Sequence, residues 1–358
     1  MADNKPLIVI LGINSRQGSS IARHFIRHPH MQIRGITRNI LSERSQSWAA
    51  QGVAMVQVAD HRDEGAMEAA FRGATGIFAV TDFYRHITEH STLSLAGVWK
   101  KTPEEIAGQR ELAEGKVMIA AVAATVKSLR LFVLSSLCPA YGEAEDTRGL
   151  QQFHSKAKIV QYMETNYPEL TARSSLLKPA LYMEEWTIFL RCNPENGHYT
   201  FGSTVPASCA LPWTNITDDM GTLFNLCMVT PRRLNIAAIS DIVSGAEICT
   251  LFTEITGIPC TYVQYSEEEL ANMLGNRGQI IVDMLAHIFR KRYYEEPGIQ
   301  LSHHLLKDRP EVADFKPTTF AEFMKADLTR SVKKKQGSGG EEVGSSSGGE
   351  EMSDGVSH

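Results

Sequence analysis

The stretch Leu7-Ile-Val-Ile-Leu-Gly-Ile-Asn-Ser-Arg-Gln-Gly-Ser-Ser-Ile-Ala22 decides how the rest of the chain is read. An apolar run ends in Gly12, a short polar turn follows, and Gly18 opens an apolar-periodic segment. That order predicts a buried strand, a tight turn and a helix N-terminus. A helix start offers unpaired N–H groups and the positive end of its dipole, so it attracts a pyrophosphate. Gly12-x-x-Ser15-x-x-Gly18 has the spacing of a dinucleotide fingerprint whose middle glycine is a serine. The competing reading is an ordinary βα turn that uses its glycines for geometry alone.

Working outward, Gln32-Ile-Arg-Gly-Ile-Thr37 predicts the second strand, with Arg38 and Asn39 at its end. A site for NAD(H) places Asp or Glu about 20 residues beyond the glycine motif, on the ribose 2′-hydroxyl. Here no acid occurs before Glu43. Arg38 can instead clamp a 2′-phosphate with two parallel N–H bonds, with Thr37 and Asn39 adding polar contacts, which favours NADP(H). A solvated arginine at a strand end is the plainer alternative. Strands are predicted at 7–12, 32–37, 53–58, 76–81 and 129–135, and helical periodicity fills 17–28, 43–51, 64–73 and 104–127. Repeated βα units imply an α/β fold with a Rossmann-type, doubly wound parallel sheet whose ligand lies beyond the strand carboxyl ends. Asp60 and His61 then fall near the adenine, and Ala79-Val-Thr-Asp82, with Thr81, near the adenine-side ribose and pyrophosphate. Asp60 serves equally well as a cap for the helix starting near Glu64.

The 358 residues, 43% hydrophobic and 22% charged with a net charge of −5, suit a soluble chain of one or two domains. No basic stretch interleaved with aromatics occurs, which argues against direct nucleic-acid binding. Apolar runs such as 129–137 are too short to span a bilayer, and Met1-Ala-Asp-Asn-Lys-Pro6 carries no signal region, so no membrane is expected. Cysteines 138, 192, 209, 227, 249 and 260 form no Cys-x-x-Cys pair. They read as reduced thiols of a cytoplasmic or nuclear protein. His86 with His90, and His28 with His30, lack acidic or cysteine partners and read as solvent-facing, so no metal is expected. There is no Walker loop, no Gly-x-Ser-x-Gly elbow and no internal repeat.

Residues 1–178 are expected to form the dinucleotide-binding domain and 179–330 a smaller α/β substrate lobe, with strands returning to the sheet and packing over its C-terminal edge. After Pro179 come Gly197–Gly202, a loop over 206–212 and a helix from Asp218. A strand at Arg233–Ile239, a capped helix over Asp241–Thr256 and a strand at Cys260–Tyr265 follow, and Ser266 with Glu269 makes a capping box. From Ser331 the chain is rich in Gly, Ser and Glu, and a disordered tail is expected over 331–358. Lys333-Lys-Lys335 is too thin a basis for a nuclear signal.

The candidate chemistry sits after the fifth strand. In short-chain dehydrogenases a Ser there polarises the substrate carbonyl. A Tyr four residues before a Lys donates the proton, and the Lys binds the nicotinamide ribose and lowers the Tyr pKa by its charge. This chain has Ser135 and Ser136 in Leu134-Ser-Ser-Leu137, and Lys156 in Phe153-His-Ser-Lys156, but Gln152 stands where the Tyr belongs. Glutamine is no acid at neutral pH. Either Lys156, directly or through water, relays the proton, or it only holds the ribose and the site binds cofactor without turnover. A surface lysine at a helix start is the bland reading. Tyr141, Tyr182 and His154 are near enough in sequence to substitute as acids, and no spacing forces any of them into the site.

Taken in order, several motifs resemble the NmrA-like family of atypical short-chain dehydrogenases over nearly all of 5–325. They are Gly12-Ile-Asn-Ser-Arg-Gln-Gly18, Ile36-Thr-Arg-Asn39, Gly76-Ile-Phe-Ala-Val-Thr-Asp-Phe-Tyr84, Leu134-Ser-Ser-Leu137 and Phe153-His-Ser-Lys156. Leu211-Pro-Trp-Thr-Asn-Ile-Thr-Asp-Asp219 and Thr256-Gly-Ile-Pro-Cys-Thr-Tyr-Val-Gln264 continue the likeness, which is strongest to fungal members. The resemblance implies NADP(H) in the cleft, contacted by Gly12, Asn14, Gln17, Gly18, Arg38, Asp60, Thr81 and Lys156, with Ser15 in the fingerprint. Most members carry a glycine where this chain has Ser15. A Cβ and hydroxyl there crowd the backbone's approach to the pyrophosphate, while the hydroxyl can donate a compensating bond. Some relatives are NADPH-dependent reductases, including isoflavone-reductase-like enzymes that lack the Tyr and keep the Lys. Others are redox sensors that bind a dinucleotide and regulate transcription-factor partners. The leading expectation is therefore an NADP(H)-dependent oxidoreductase that reduces a small carbonyl, imine or conjugated metabolite in secondary metabolism. Lys156 and Ser135 or Ser136 would be its working residues. The alternative is a non-catalytic NADP(H) sensor with a regulatory protein partner.

Overall fold

A computed structural model describes residues 5–140, 149–230, 233–291, 294, 298–307 and 315–337. Strands and helices alternate from the start: β1 (Leu7–Leu11), α1 (Arg16–Phe25), β2 (Gln32–Thr37), α2 (Glu43–Ala50), β3 (Ala54–Gln57), α3 (Glu64–Phe71) and β4 (Gly76–Ala79). Then come α4 (Phe83–Thr88), α5 (His90–Trp99), α6 (Pro103–Ala123), β5 (Leu131–Ser135), α7 (Gln151–Asn166), α8 (Pro168–Ala172) and β6 (Ser174–Pro179). The second part contains β7 (Leu181–Tyr182), β8 (Leu190–Cys192), β9 (Tyr199–Ser203), β10 (Ala210–Thr214), α9 (Ile216–Val229), β11 (Asn235–Ala238) and β12 (Asp241–Ser244). It closes with α10 (Gly245–Thr256), β13 (Cys260–Gln264), α11 (Glu267–Leu274), α12 (Gly278–Lys291), β14 (Gln300–Leu301), α13 (Ser302–Lys307) and α14 (Phe320–Gly337).

The main sheet has the order β14-β11-β6-β5-β4-β1-β2-β3, and every pairing in it is parallel. Its central strands read as unbroken apolar runs because both faces are covered: all of β4 and β5 is buried. On one face α1 and α9 pack through Ile21, Phe25, Leu223 and Phe224. On the other, Met67 and Phe71 of α3, Ile119 and Val122 of α6, and Ile159 and Met163 of α7 close the core. The strand order turns back between β1 and β4, so the loops after β1, β2, β4 and β5 open onto one crevice, as the sequence pattern predicted.

β6 runs directly into β7, which hangs the second part on the carboxyl edge of the sheet. There two three-stranded sheets, β12-β10-β7 and β13-β9-β8, enclose an aromatic core of Trp186, Phe201, Trp213, Phe252 and Phe320. Asp219 ties the approach to α14, accepting from Thr318 N at 3.1 Å, Thr318 Oγ1 at 2.9 Å and Ser240 Oγ.

Several sequence expectations are corrected. Asp241–Ser244 is a strand paired antiparallel with β10, and the helix begins only at Gly245, capped by Ser244 and Glu247. Asp241 instead accepts from Phe320 N at 2.8 Å. α9 starts at Ile216 under an Asn215 cap, ahead of Asp218. Asp63, not Asp60, caps α3. His86 is buried, not solvent-facing. α14 continues through 331–337, the first part of the expected tail; 338–358 and Tyr141 lie outside the described residues.

Candidate functional site: the crevice beyond β1, β4 and β5

The turn between β1 and α1 is fixed by its glycines. Gly12 has φ +79°, and Ser15 N–H donates to its carbonyl at 2.9 Å. A Cβ on Gly18 would lie 2.2 Å from Gly12 O, so only glycine fits the close approach of helix to strand. Ser15 adopts φ −70° and ψ 163°, a conformation open to any residue, and its Oγ accepts from Gly18 N at 3.0 Å. The serine is therefore the N-cap of α1, and its hydroxyl proton stays available to a ligand. No acid occupies the first turn of α1, so nothing there offsets the positive end of the helix.

At the adenosine end, Asn14 Nδ2 donates to Thr37 Oγ1 at 3.1 Å and Ser45 Oγ at 2.8 Å, locking the first βα turn to the end of β2. Arg38 points across the crevice, 3.5 Å from Asp82 and 4.0 Å from Glu114. Arg85 donates to Glu114 at 2.5 Å, and His86 lies 3.3 Å from it. Burial opposes the Glu114 charge, but His86, Arg85 and His61 outweigh it and hold the carboxyl at about 2. Burial, reinforced by Arg38, drops His61 to about 4, so that ring is neutral at neutral pH. Asp60 stands at the surface, held by Arg62 through paired bonds of 3.0 and 2.9 Å, which keep its carboxyl near 2.

At the other end of the crevice Lys156 is not loose. Its ammonium donates to Glu111 and, at 3.0 Å, to Thr81 Oγ1. Thr81 Oγ1 donates to Glu111 at 2.5 Å, and Ser155 Oγ donates to the other Glu111 oxygen. Glu111 is fully buried on α6. Ser135 closes β5 and Ser136 follows it, both buried; the β4–β5 register, Ala79 opposite Leu134, sets them level with Val80 and Thr81, and Ser136 N donates to Leu177 O at 2.9 Å. Across from them Gln17 Nε2 donates to Tyr182 Oη at 2.8 Å, and Arg16 pairs with Glu185 at 2.9 Å. Arg277 lies over the ring of Tyr84 at 5.3 Å. Burial, then the charge of Glu185, raises the Tyr84 phenol above its ordinary value. Burial likewise raises Tyr182.

The structure thus brings Gly12, Asn14, Ser15, Gln17, Gly18, Arg38, Thr81, Ser135, Ser136 and Lys156 to the carboxyl edge of one sheet, with Asp60 on its outer rim. His154 lies about 200° round α7 from Gln152, on another face of the helix. Sequence reasoning missed Glu111, Glu114, Arg85 and Tyr84. One signal for Glu111 was present: Gly108 and Gly115 flank it on the same face of α6. A Cβ on Gly115 would meet Ile159 at 2.3 Å, so that face abuts α7.

A dinucleotide fits these residues. Asn14 Oδ1, Gln17 Oε1, Arg38 Nε, Arg85 Nε and His61 Nε2 are buried without a hydrogen-bond partner among the described residues. Three of these are placed around Arg38, where an anionic oxygen would satisfy N–H donors.

The model of the NmrA-like family matches residues 4–324. The chain belongs to the NmrA-like family. Among relatives, it is 28% identical over 277 residues to the NmrA-like family domain-containing oxidoreductase FrzB of Cladobotryum sp, covering 72% of this chain and 75% of that one. It is also 28% identical to the oxidoreductase hkm9 of Aspergillus hancockii over 268 residues, 70% of this chain and 72% of the other. The fold matches NmrA, a negative transcriptional regulator solved with NADP. The TM-score is 0.67 at 17% identity, covering 93% of this chain and 98% of that one. It also matches the NADPH-dependent quinone oxidoreductase QOR2 of Escherichia coli, solved with NADPH, with a TM-score of 0.63 at 17% identity over 90% and 99% of the two chains. Among the described residues no group of His, Cys, Asp and Glu is arranged to hold a metal ion, and no helix is long and apolar enough to cross a membrane.

Proposed function

We propose that this NmrA-like chain is an NADPH-dependent reductase of a small carbonyl, imine or conjugated metabolite, acting in the cytoplasm in fungal secondary metabolism. The observation that carries the reading is the lysine at the start of α7, fixed by Glu111 and Thr81 beside the two serines that end β5. The fungal relatives named as oxidoreductases and the NADPH-bound quinone oxidoreductase support it. The turn Gly12–Gly18 receives the pyrophosphate, with the Ser15 hydroxyl adding a donor. Arg38 takes the 2′-phosphate in place of its distant contacts to Asp82 and Glu114. NADPH supplies a hydride when bound. Lys156 holds the ribose hydroxyls, and Ser135 or Ser136 orients the substrate.

Calorimetric titration with NADPH, NADP, NADH and NAD tests the first half, and loss of NADPH absorbance over a panel of ketones, aldehydes, imines and enones tests the second. Tight NADPH binding followed by turnover is expected. Gln152 in the Tyr position favours the second reading, a sensor that binds NADP(H) and controls a transcription-factor partner. NADPH that binds and is never consumed across the panel would replace the first reading with the second.

A further inference from the structure

Gln152 is 3% exposed, and neither its Nε2 nor its Oε1 has a hydrogen-bond partner among the described residues. Gln152, Lys156, Ile159 and Met163 recur at helical spacing along one stripe of α7. Ile159 and Met163 pack on the sheet and Lys156 reaches Thr81, two residues past the end of β4, so one further turn of the same stripe carries Gln152 beyond the sheet's carboxyl edge. Its neighbours on α7 face elsewhere: Ser155 bonds Glu111 on α6, and Phe153 joins the aromatic core of the second part. Leaving a buried donor or acceptor unmade costs about 1–3 kcal/mol each, and a leucine would fill the same volume without that cost. The amide is therefore built for a ligand that supplies both bonds.

We propose that Gln152 anchors the substrate through an amide pair, and that the substrate group it takes is a lactam or other cis secondary amide. Such a group sets a carbonyl oxygen beside an N–H, which matches the Nε2 donor and Oε1 acceptor of one carboxamide. A ketone satisfies only Nε2. A carboxylate satisfies Nε2 and repels Oε1. The inference rests on the reading of this crevice as the substrate site, and it names the substrate class that site takes.

The test uses the full chain with saturating NADPH and three probes: δ-valerolactam, N-methyl-δ-valerolactam and cyclohexanone. Affinities are read by ligand-observed NMR. The lactam should bind roughly tenfold or more tighter than either analogue, because a site built for a hydrogen-bonding group rejects the analogue lacking it. Gln152→Leu should erase that preference, leave NADPH affinity unchanged and unfold no earlier than the parent chain. Gln152→Glu should weaken the lactam, since the carboxylate repels its carbonyl. Equal binding of the three probes, or a preference that survives in Gln152→Leu, overturns the proposal. So does a Gln152→Leu chain that loses NADPH affinity, which would give the amide to the nicotinamide carboxamide instead. If the parent chain fails to bind NADPH, the reductase reading falls by itself, and the lactam preference is still read without cofactor.

Discussion

Replacing Glu111 with Gln probes the core of the site without changing its shape. Glu111 is fully buried and the Lys156 side chain is 12% exposed, so the pair is almost out of water. Removing one partner of such a pair costs about 3–5 kcal/mol, because the other charge is left buried alone. Gln keeps one oxygen for Thr81 Oγ1 and Lys156 and sets its amide nitrogen against Ser155 Oγ, which can accept instead of donating. That puts Glu111→Gln near the lower end, about 3 kcal/mol. Removing both charges, as in Glu111→Gln with Lys156→Met, should return to within about 1 kcal/mol of the parent chain, since a buried pair can be replaced by apolar groups at little cost. The assay is urea unfolding of the four chains at neutral pH, read as a double-mutant cycle, with hydrogen exchange on α6 and α7 locating the loosened contact. A coupling of about 2 kcal/mol or more is expected for residues in one network. Strict additivity of the two single variants would refute the argument, because it would mean that Lys156 is held by something other than Glu111.

Arg38→Ala should lower NADPH affinity by about ten- to a hundredfold through loss of a charge-assisted pair while leaving NADH nearly unchanged, measured by calorimetry; a uniform loss for both cofactors would reassign Arg38 to structure. Gly18→Ala should abolish cofactor binding, since its Cβ would sit 2.2 Å from Gly12 O. Ser15→Gly should cost only a few tenths of a kcal/mol in stability, and NADPH titration should find binding intact. His61, held at about 4 by burial against an ordinary 6.5, binds its proton more weakly in the folded chain. The stability it contributes is complete above about 6.5 and is lost as pH falls through about 4, worth at most about 3 kcal/mol. Denaturant unfolding from pH 7 to 4 should therefore show the parent chain losing stability relative to His61→Gln, and parallel profiles would exclude His61 as the cause.

The first βα unit was legible because its chemistry leaves few options. A strand, Gly12, a helix cap and Gly18 must occur at fixed spacing for helix and strand to touch, and Arg38 follows where β2 must end. The central strands were legible because a parallel sheet covered on both faces writes continuous apolar runs. β12 was not, because Asp241 looks like a helix cap and only pairing with β10 makes the four residues a strand. Which of the later strands return to the main sheet was not legible either, since long-range pairing leaves no local mark; β11 and β14 do. Glu111 and Glu114 lie at helical spacing on α6, which normally marks a solvated face. Their burial is decided by α7 and α4 packing against α6, and the same approach of Glu114 draws His86 inward.

The acids and bases of the crevice also order the proposed substrates. The Lys156 charge is matched by Glu111, so little is left to lower the pKa of a neighbouring phenol. Tyr84 and Tyr182 are both raised by burial, and Gln152 has no proton to give. His61 titrates far below neutrality and stands at the adenosine end. Among the described residues, no side chain near Lys156 is thus tuned to deliver a proton at pH 7. Hydride addition to a ketone makes an alkoxide, which needs that proton at once. Addition to a protonated imine makes a neutral amine, which needs none. On the reductase reading, a cyclic imine should therefore be reduced at least about tenfold faster in kcat than a ketone of the same ring and anchor, the factor expected from general acid catalysis being about 10²–10⁴. Its rate should fall as pH rises above the pKa of the free imine, because the substrate carries its own proton. A ketone that keeps pace, with a bell-shaped pH profile centred near neutrality, would show that an acid does reach the crevice and would sink the argument.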